Sequence, residues 1–205
     1  MVRDHFCFNC GRIQPIQPST DYFSFFGLPR KLKLNTVELE RLFYDLSRKL
    51  HPDYFTTASP EERQASTERS SMLNDAYRTL RDPVSRAQYL LSLEGYVEAE
   101  KKAPPDLLEE VFDLNMQVEE LKAAKKIADE EEVAAARSSL EDALDGLVER
   151  MGVIDGQLED LFAKWDDVAD LRAAEGRKAL LDSMSELLSH RSYIRNLVRD
   201  IKEEL

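Results

Sequence analysis

Glycine and cysteine are scarce in this chain, seven and two among 205 residues. Few glycines leave little material for the tight turns of an all-β fold, and no stretch alternates apolar and polar residues for long. Two cysteines are too few for a disulfide scaffold. No apolar run approaches the roughly 20 residues of a membrane span. The N-terminus carries Asp4 early and has no hydrophobic core, so it resembles neither a secretory signal nor an Arg-rich transit peptide. Enzyme signatures are missing as well: there is no Walker-type glycine loop, no Gly-x-Ser-x-Gly and no His-Glu-x-x-His. What is abundant is Leu, Ala, Glu and Lys at helical spacing. The expectation is an all-α protein of one or two domains, cytoplasmic, without a membrane segment; the mitochondrial matrix fits only if a transit peptide has been removed.

Charge is distributed unevenly. Residues 20–96 hold 11 basic and 11 acidic side chains, whereas residues 97–205 hold 15 basic and 28 acidic. The acidic second half argues against non-specific nucleic-acid binding there.

Residues 1–19 read as a short arm. Cys7-x-x-Cys10 places two thiols where one metal could take both, with Gly11 allowing the tight turn. A structural zinc site asks for four ligands. His5 is a candidate third, and a fourth would come from elsewhere or from a second chain. The alternative is a reduced arm with two free thiols. No cofactor is required by anything else in the chain.

Thr20-Asp21 cap a short apolar turn, Tyr22 to Phe26, ended by Gly27 and Pro29. The next helix spans 36–50, with Asn35 or Thr36 as N-cap and Leu39, Leu42, Phe43, Leu46 and Leu50 as its buried face. Arg41, Asp45, Arg48 and Lys49 lie off that face; the last two also suit the negative end of the helix dipole. Pro52 then fixes its own φ and pushes His51 out of the helical region, so the helix stops and a rigid corner presents His51 and Asp53 to solvent. Ser59-Pro60-Glu61-Glu62 is a capping box with proline at the first helical position. The third helix runs to about Leu80 and buries Met72, Leu73, Ala76, Tyr77 and Leu80. Asp82-Pro83 opens a fourth, ending near Leu93 with Gly95 beyond it.

Residues 97–105 read as a linker, and 106–205 as a bundle of three helices over about 106–127, 130–165 and 177–204. Their stripes begin Leu107-Val111-Leu114-Val118-Leu121, Val133-Leu140-Leu144-Leu147 and Leu180-Met184-Leu187. Gly146, Gly152 and Gly156 weaken the second helix and are places for it to bend. The first bundle helix carries a second apolar stripe, Leu108, Phe112 and Met116, about a quarter-turn from the seam. Glu109, Asp113 and Glu120 run beside it. An apolar stripe rimmed by acids suits a partner-binding face. The competing expectation is that both stripes are buried, since a helix in a three-helix bundle touches two neighbours.

Residues 20–96 resemble a J-domain helix by helix. The resemblance rests on His51-Pro52-Asp53 at the end of a basic amphipathic helix, and on Leu73-Asn74-Asp75-Ala76-Tyr77-Arg78-Thr79-Leu80-Arg81-Asp82-Pro83 at the expected distance. Arg86-Ala87-Gln88-Tyr89-Leu90-Leu91-Ser92-Leu93-Glu94-Gly95-Tyr96, together with Asp21-Tyr22-Phe23-Ser24-Phe25-Phe26-Gly27-Leu28-Pro29 and the acidic helical tail, resembles the HscB (Jac-type) family of iron–sulfur-cluster co-chaperones. The resemblance implies an N-terminal J-domain whose helical hairpin carries the corner, followed by a C-terminal three-helix bundle that holds a client. It implies docking on a DnaK/HscA-type chaperone through His51, Pro52, Asp53, Arg41, Arg48 and Lys49, and stimulation of that chaperone's ATPase by a protein that is not itself an enzyme. It also implies an IscU-type scaffold as client, held by Leu108, Phe112, Asp113, Glu120 and Tyr193; Glu109 and Met116 depart from the usual types. The alternative is a J-protein serving a different client. Many relatives have Lys after the tripeptide where this chain has Tyr54. Some eukaryotic relatives carry a metal-binding arm with two Cys-x-x-Cys pairs, where this chain has one.

Overall fold

The computed structural model describes residues 5–96, 107–127, 129–168 and 174–205. Among these the chain is all-α: α1 (Tyr22–Phe26), α2 (Thr36–Leu50), α3 (Pro60–Arg81), α4 (Pro83–Leu93), α5 (Leu108–Ile127), α6 (Glu130–Val168) and α7 (Ala174–Glu204). A 3-10 turn, Pro52–Phe55, follows α2. The expected linker over 97–105 lies outside the described residues.

Local chemistry explains the boundaries. Asp21 caps α1, accepting from the Ser24 N–H at 2.7 Å, while the Ser24 hydroxyl faces back to the Asp21 N–H. Gly27, at φ 67°, closes that helix in a conformation that costs a Cβ-bearing residue energy. Asn35 rather than Thr36 caps α2, its side chain accepting from Val37 and Glu38. Ser59 and Glu62 form the reciprocal capping box of α3 with Pro60 at the first position, and Asp82 caps α4.

The chain divides into two compact units. The first comprises Met1–Gly95 and Phe162–Ala174; the second, Tyr96–Leu161 and Glu175–Leu205. In the first, Phe23, Phe26, Leu39, Leu46, Leu50, Leu73, Ala76, Leu80, Ala87 and Leu90 make the core. Leu42, Phe43, Met72 and Tyr77 are half-buried at its edge, where the Phe43 and Tyr77 rings stack at 4.2 Å. The last turns of α6 belong to this unit. Trp165 is buried there and its indole N–H points at the Arg30 carbonyl, 3.4 Å away. The Asp166 carboxylate accepts from the Leu32 and Lys33 N–H groups at 2.7 and 2.8 Å. The segment between α1 and α2 is thus pinned from a helix more than 130 residues away in sequence.

In the second unit Leu107, Leu114, Leu121, Leu140, Leu147, Ile154, Leu158, Met184 and Ile194 are buried. On α7, Leu181 and Leu188 are buried in place of the expected Leu180 and Leu187, which are half-buried. Ion pairs tie the helices: Arg150 to Glu110 at 2.8 Å, Arg191 to Asp155 at 2.5 Å and Lys122 to Glu204 at 3.2 Å. Helix α6 runs without interruption through Gly146, Gly152 and Gly156.

Candidate functional site

Helix α2 ends at Leu50, whose side chain is fully buried. Its carbonyl would be an orphan acceptor at a helix end. Two serines of α3 answer it: the Ser66 and Ser70 hydroxyls donate to the Leu50 oxygen at 2.7 and 2.9 Å. His51 then leaves the helix at φ −60°, ψ 129°, and Pro52 opens the 3-10 turn, closed by the Tyr54 N–H on the His51 carbonyl at 3.0 Å.

The corner is therefore clamped from behind and open in front. The Asp53 N–H donates to His51 Nδ1 at 3.3 Å, which makes that nitrogen the acceptor and leaves Nε2 to carry the proton of the neutral ring. The Asp53 carboxylate lies 3.5 Å from the same nitrogen, with its side chain 84% exposed. Imidazole and carboxylate both face water, where another surface can reach them. Arg41, Arg48 and Lys49 are exposed on α2. Arg48 is paired with Asp45 at 2.7 Å, so its charge is partly answered within the helix.

The seam residues Leu107, just before α5, and Leu114 and Leu121 on it are buried, whereas Leu108, Phe112 and Met116 are 55%, 65% and 49% exposed. Of the two expectations for this second stripe, burial is not what the structure has. Asp113 and Glu120 are exposed beside it, and Tyr193 is half-buried on α7. The side chain of Glu109 lies outside the described residues.

In the arm, His5 is buried, with Nε2 at 3.0 Å from the Phe25 carbonyl and Nδ1 at 2.6 Å from Arg69 Nη1. A guanidinium cannot accept, so Nδ1 accepts and Nε2–H donates to Phe25. Arg69, itself buried, also donates to the carbonyls of Gln14 and Pro15 at 2.5 and 3.1 Å. Both ring nitrogens of His5 are thus engaged in seating the arm on α3. The thiols sit in a tight turn: Gly11, at φ 70°, donates to the Cys7 carbonyl at 2.9 Å. N–H groups of Cys10 and then Asn9 face the Cys7 sulfur and, with the Cys10 side chain, hold that thiol below its ordinary pKa. Two sulfurs are half of a structural zinc site. No group of three His, Cys, Asp or Glu able to hold a metal occurs among the described residues.

Sequence reasoning passed over Ser66, Ser70, Arg69 and Asp166. Serines four apart on the inner side of α3 were a visible signal, since a hydroxyl in an apolar face needs a partner. Arg69 on that same inner face was another.

Comparison with known proteins agrees with this layout. The DnaJ domain family matches residues 21–89. The mouse (Mus musculus) iron-sulfur cluster co-chaperone protein HscB is 36% identical over 135 residues, 64% of this chain and 56% of that protein. The Arabidopsis thaliana HscB homolog is 38% identical over 117 residues, 56% of this chain and 46% of that protein. The chain thus spans about half the length of the curated relatives it matches. The crystal structure of human co-chaperone protein HscB superposes with a TM-score of 0.65 at 26% identity, covering 97% of this chain and 89% of that one. Chaperone HscB from Vibrio cholerae gives 0.62 at 25% identity, covering 90% and 96%. Residues 21–89 are thus a DnaJ domain that contains the corner, in a chain similar to HscB proteins along most of its length.

Proposed function

We propose that this chain is a co-chaperone of iron–sulfur cluster assembly. Its J-domain docks on a DnaK/HscA-type chaperone and speeds ATP hydrolysis there, and its C-terminal bundle brings an IscU-type scaffold as client. The observation that carries the reading is the clamped, solvent-facing His51-Pro52-Asp53 corner within the matched DnaJ domain. No bond is made or broken in this chain. The corner acts by favouring the hydrolysis-competent state of its partner, which requires fixed polar groups and little else. The client face is the α5 stripe of Leu108 and Phe112 with Asp113 and Glu120, to which the family resemblance adds Tyr193. Among the described residues no helix is long and apolar enough to cross a membrane.

The test is single-turnover ATP hydrolysis by a purified DnaK/HscA-type chaperone with this protein added. Wild type is expected to accelerate hydrolysis. His51→Gln and Asp53→Asn should abolish the acceleration with melting unchanged, since both side chains stand in water. If either substitution unfolds the domain, the corner is structural and the docking reading fails. A scaffold that neither binds nor augments the stimulation would leave a J-protein serving another client.

A further inference from the structure

The outward face of α2 carries more than charge. Val37, Arg41, Tyr44 and Arg48 succeed one another at steps of four, three and four, which sets them in one line opposite buried Leu39, Leu46 and Leu50. The line leads to His51, whose ring meets that of Tyr54 edge-on with centroids 6.4 Å apart. Val37 is 74% exposed, Tyr44 57% and Tyr54 72%. Isolated exposed apolar residues need no explanation, but three that flank the corner on both sides do.

The rings are held for contact. Tyr44 packs edge-on against Phe43 at 5.4 Å, and Phe43 is stacked on Tyr77 behind it. A braced aromatic side chain loses little freedom on binding and brings a large apolar area with a polar tip. One of the two cations on the same line is already paired. Arg48 already faces Asp45, an exposed pair that contributes little by itself but partly offsets the charge an approaching partner meets. The face thus mixes an exposed ring and an exposed valine with its cations.

Resting on the chaperone-docking reading above, we infer that Tyr44 and Tyr54, supported by Val37, anchor the chaperone interface. The matching surface on the chaperone's ATPase domain is apolar where the rings land and acidic opposite Arg41 and Arg48. Continuity with His51 and Asp53 argues for this occupant, because a partner that reaches the corner covers its flanks. Affinity that depends on rings is less sensitive to salt than affinity that depends on exposed charge.

The experiment titrates full-length Tyr44→Ala/Tyr54→Ala against a purified DnaK/HscA-type chaperone, reading single-turnover ATP hydrolysis at low and high KCl. The concentration for half-maximal stimulation should rise about tenfold or more, at both salt levels, as for loss of two interface anchors. Stimulation at saturation should remain, and Tyr44→Phe/Tyr54→Phe should behave as wild type. If the double variant melts early, Tyr54→Ala alone, at the more exposed ring, carries the same test. An unchanged half-maximal concentration overturns the inference, as does a loss seen only at low salt, which would be charge steering. Light scattering that shows a wild-type dimer becoming a monomer, with stimulation intact, would overturn it in favour of a second copy as occupant. Failure of His51→Gln to reduce stimulation at saturation would instead sink the docking reading, so the two failures are distinguishable.

Discussion

Truncating the α5 stripe separates a surface role from a core role by magnitude. Leu108 and Phe112 keep 55% and 65% of their surface in water. Full burial of such side chains contributes about 1.5–3 kcal/mol each, so with half or less of each covered the double variant Leu108→Ala/Phe112→Ala should lose about 2 kcal/mol of folding stability at most. The seam residues set the contrast. Leu114 and Leu121 are 5% and 1% exposed, and Leu→Ala at either should cost about 2–5 kcal/mol, because a cavity is left as well. Binding should show the reverse order. If Leu108 and Phe112 are interface anchors, each truncation weakens an IscU-type scaffold by about 1–3 kcal/mol, roughly 5- to 150-fold in Kd. The assays are urea unfolding followed by circular dichroism, isothermal titration of the scaffold, and chaperone ATPase without scaffold, which the double variant should leave intact. A stability loss of about 4 kcal/mol or more in the double variant, with scaffold affinity unaltered in the folded fraction, would refute the argument.

Three further outcomes follow from the structure. Arg69→Ala removes a buried guanidinium that holds His5, Gln14 and Pro15; it should cost about 1–3 kcal/mol and expose residues 5–18 to limited proteolysis, read by mass spectrometry. Gly152→Ala and Gly156→Ala should each stabilise by about 0.5–1 kcal/mol in urea unfolding, because α6 is helical there and an added Cβ meets nothing within 4 Å. Asp166→Ala leaves the Leu32 and Lys33 N–H groups without their acceptor and should cost about 1–3 kcal/mol, with Asp166→Asn intermediate because an amide oxygen can still accept.

The parts of this protein visible in its sequence are those set by neighbours along the chain. Asp21, Asn35, Ser59 and Asp82 cap helices within a few residues of themselves, and a run at three- and four-residue spacing shows its inner face whatever it packs on. The corner was visible for the same reason, since Pro52 restricts His51 by direct contact. Two stripes on α5 were equally visible, but which one faced water depended on where α6 and α7 lie, and periodicity does not carry that.

What escaped was polar chemistry acting across long separations. Trp165 sits on the bundle's heptad step and reads as one more seam residue, yet it is buried in the first unit, and Asp166 beside it supplies acceptors to Leu32 and Lys33. Acidic residues near a helix end are common, and nothing local marks this one as a cap for a distant loop. His5 shows the same limit: a histidine two residues before a Cys-x-x-Cys looks like a ligand, and nothing local shows that its ring also accepts from buried Arg69, 64 residues on. The corner itself depends on such a contact. A helix ending at a proline leaves the carbonyl behind it without an intrahelical partner, and an exposed loop would ordinarily meet that need with water and remain loose. Here Ser66 and Ser70 meet it from inside α3. Solvent is thereby removed from the back of the corner while His51 and Asp53 stay in solvent at the front. That is how one short tripeptide can be both exposed and held in one geometry.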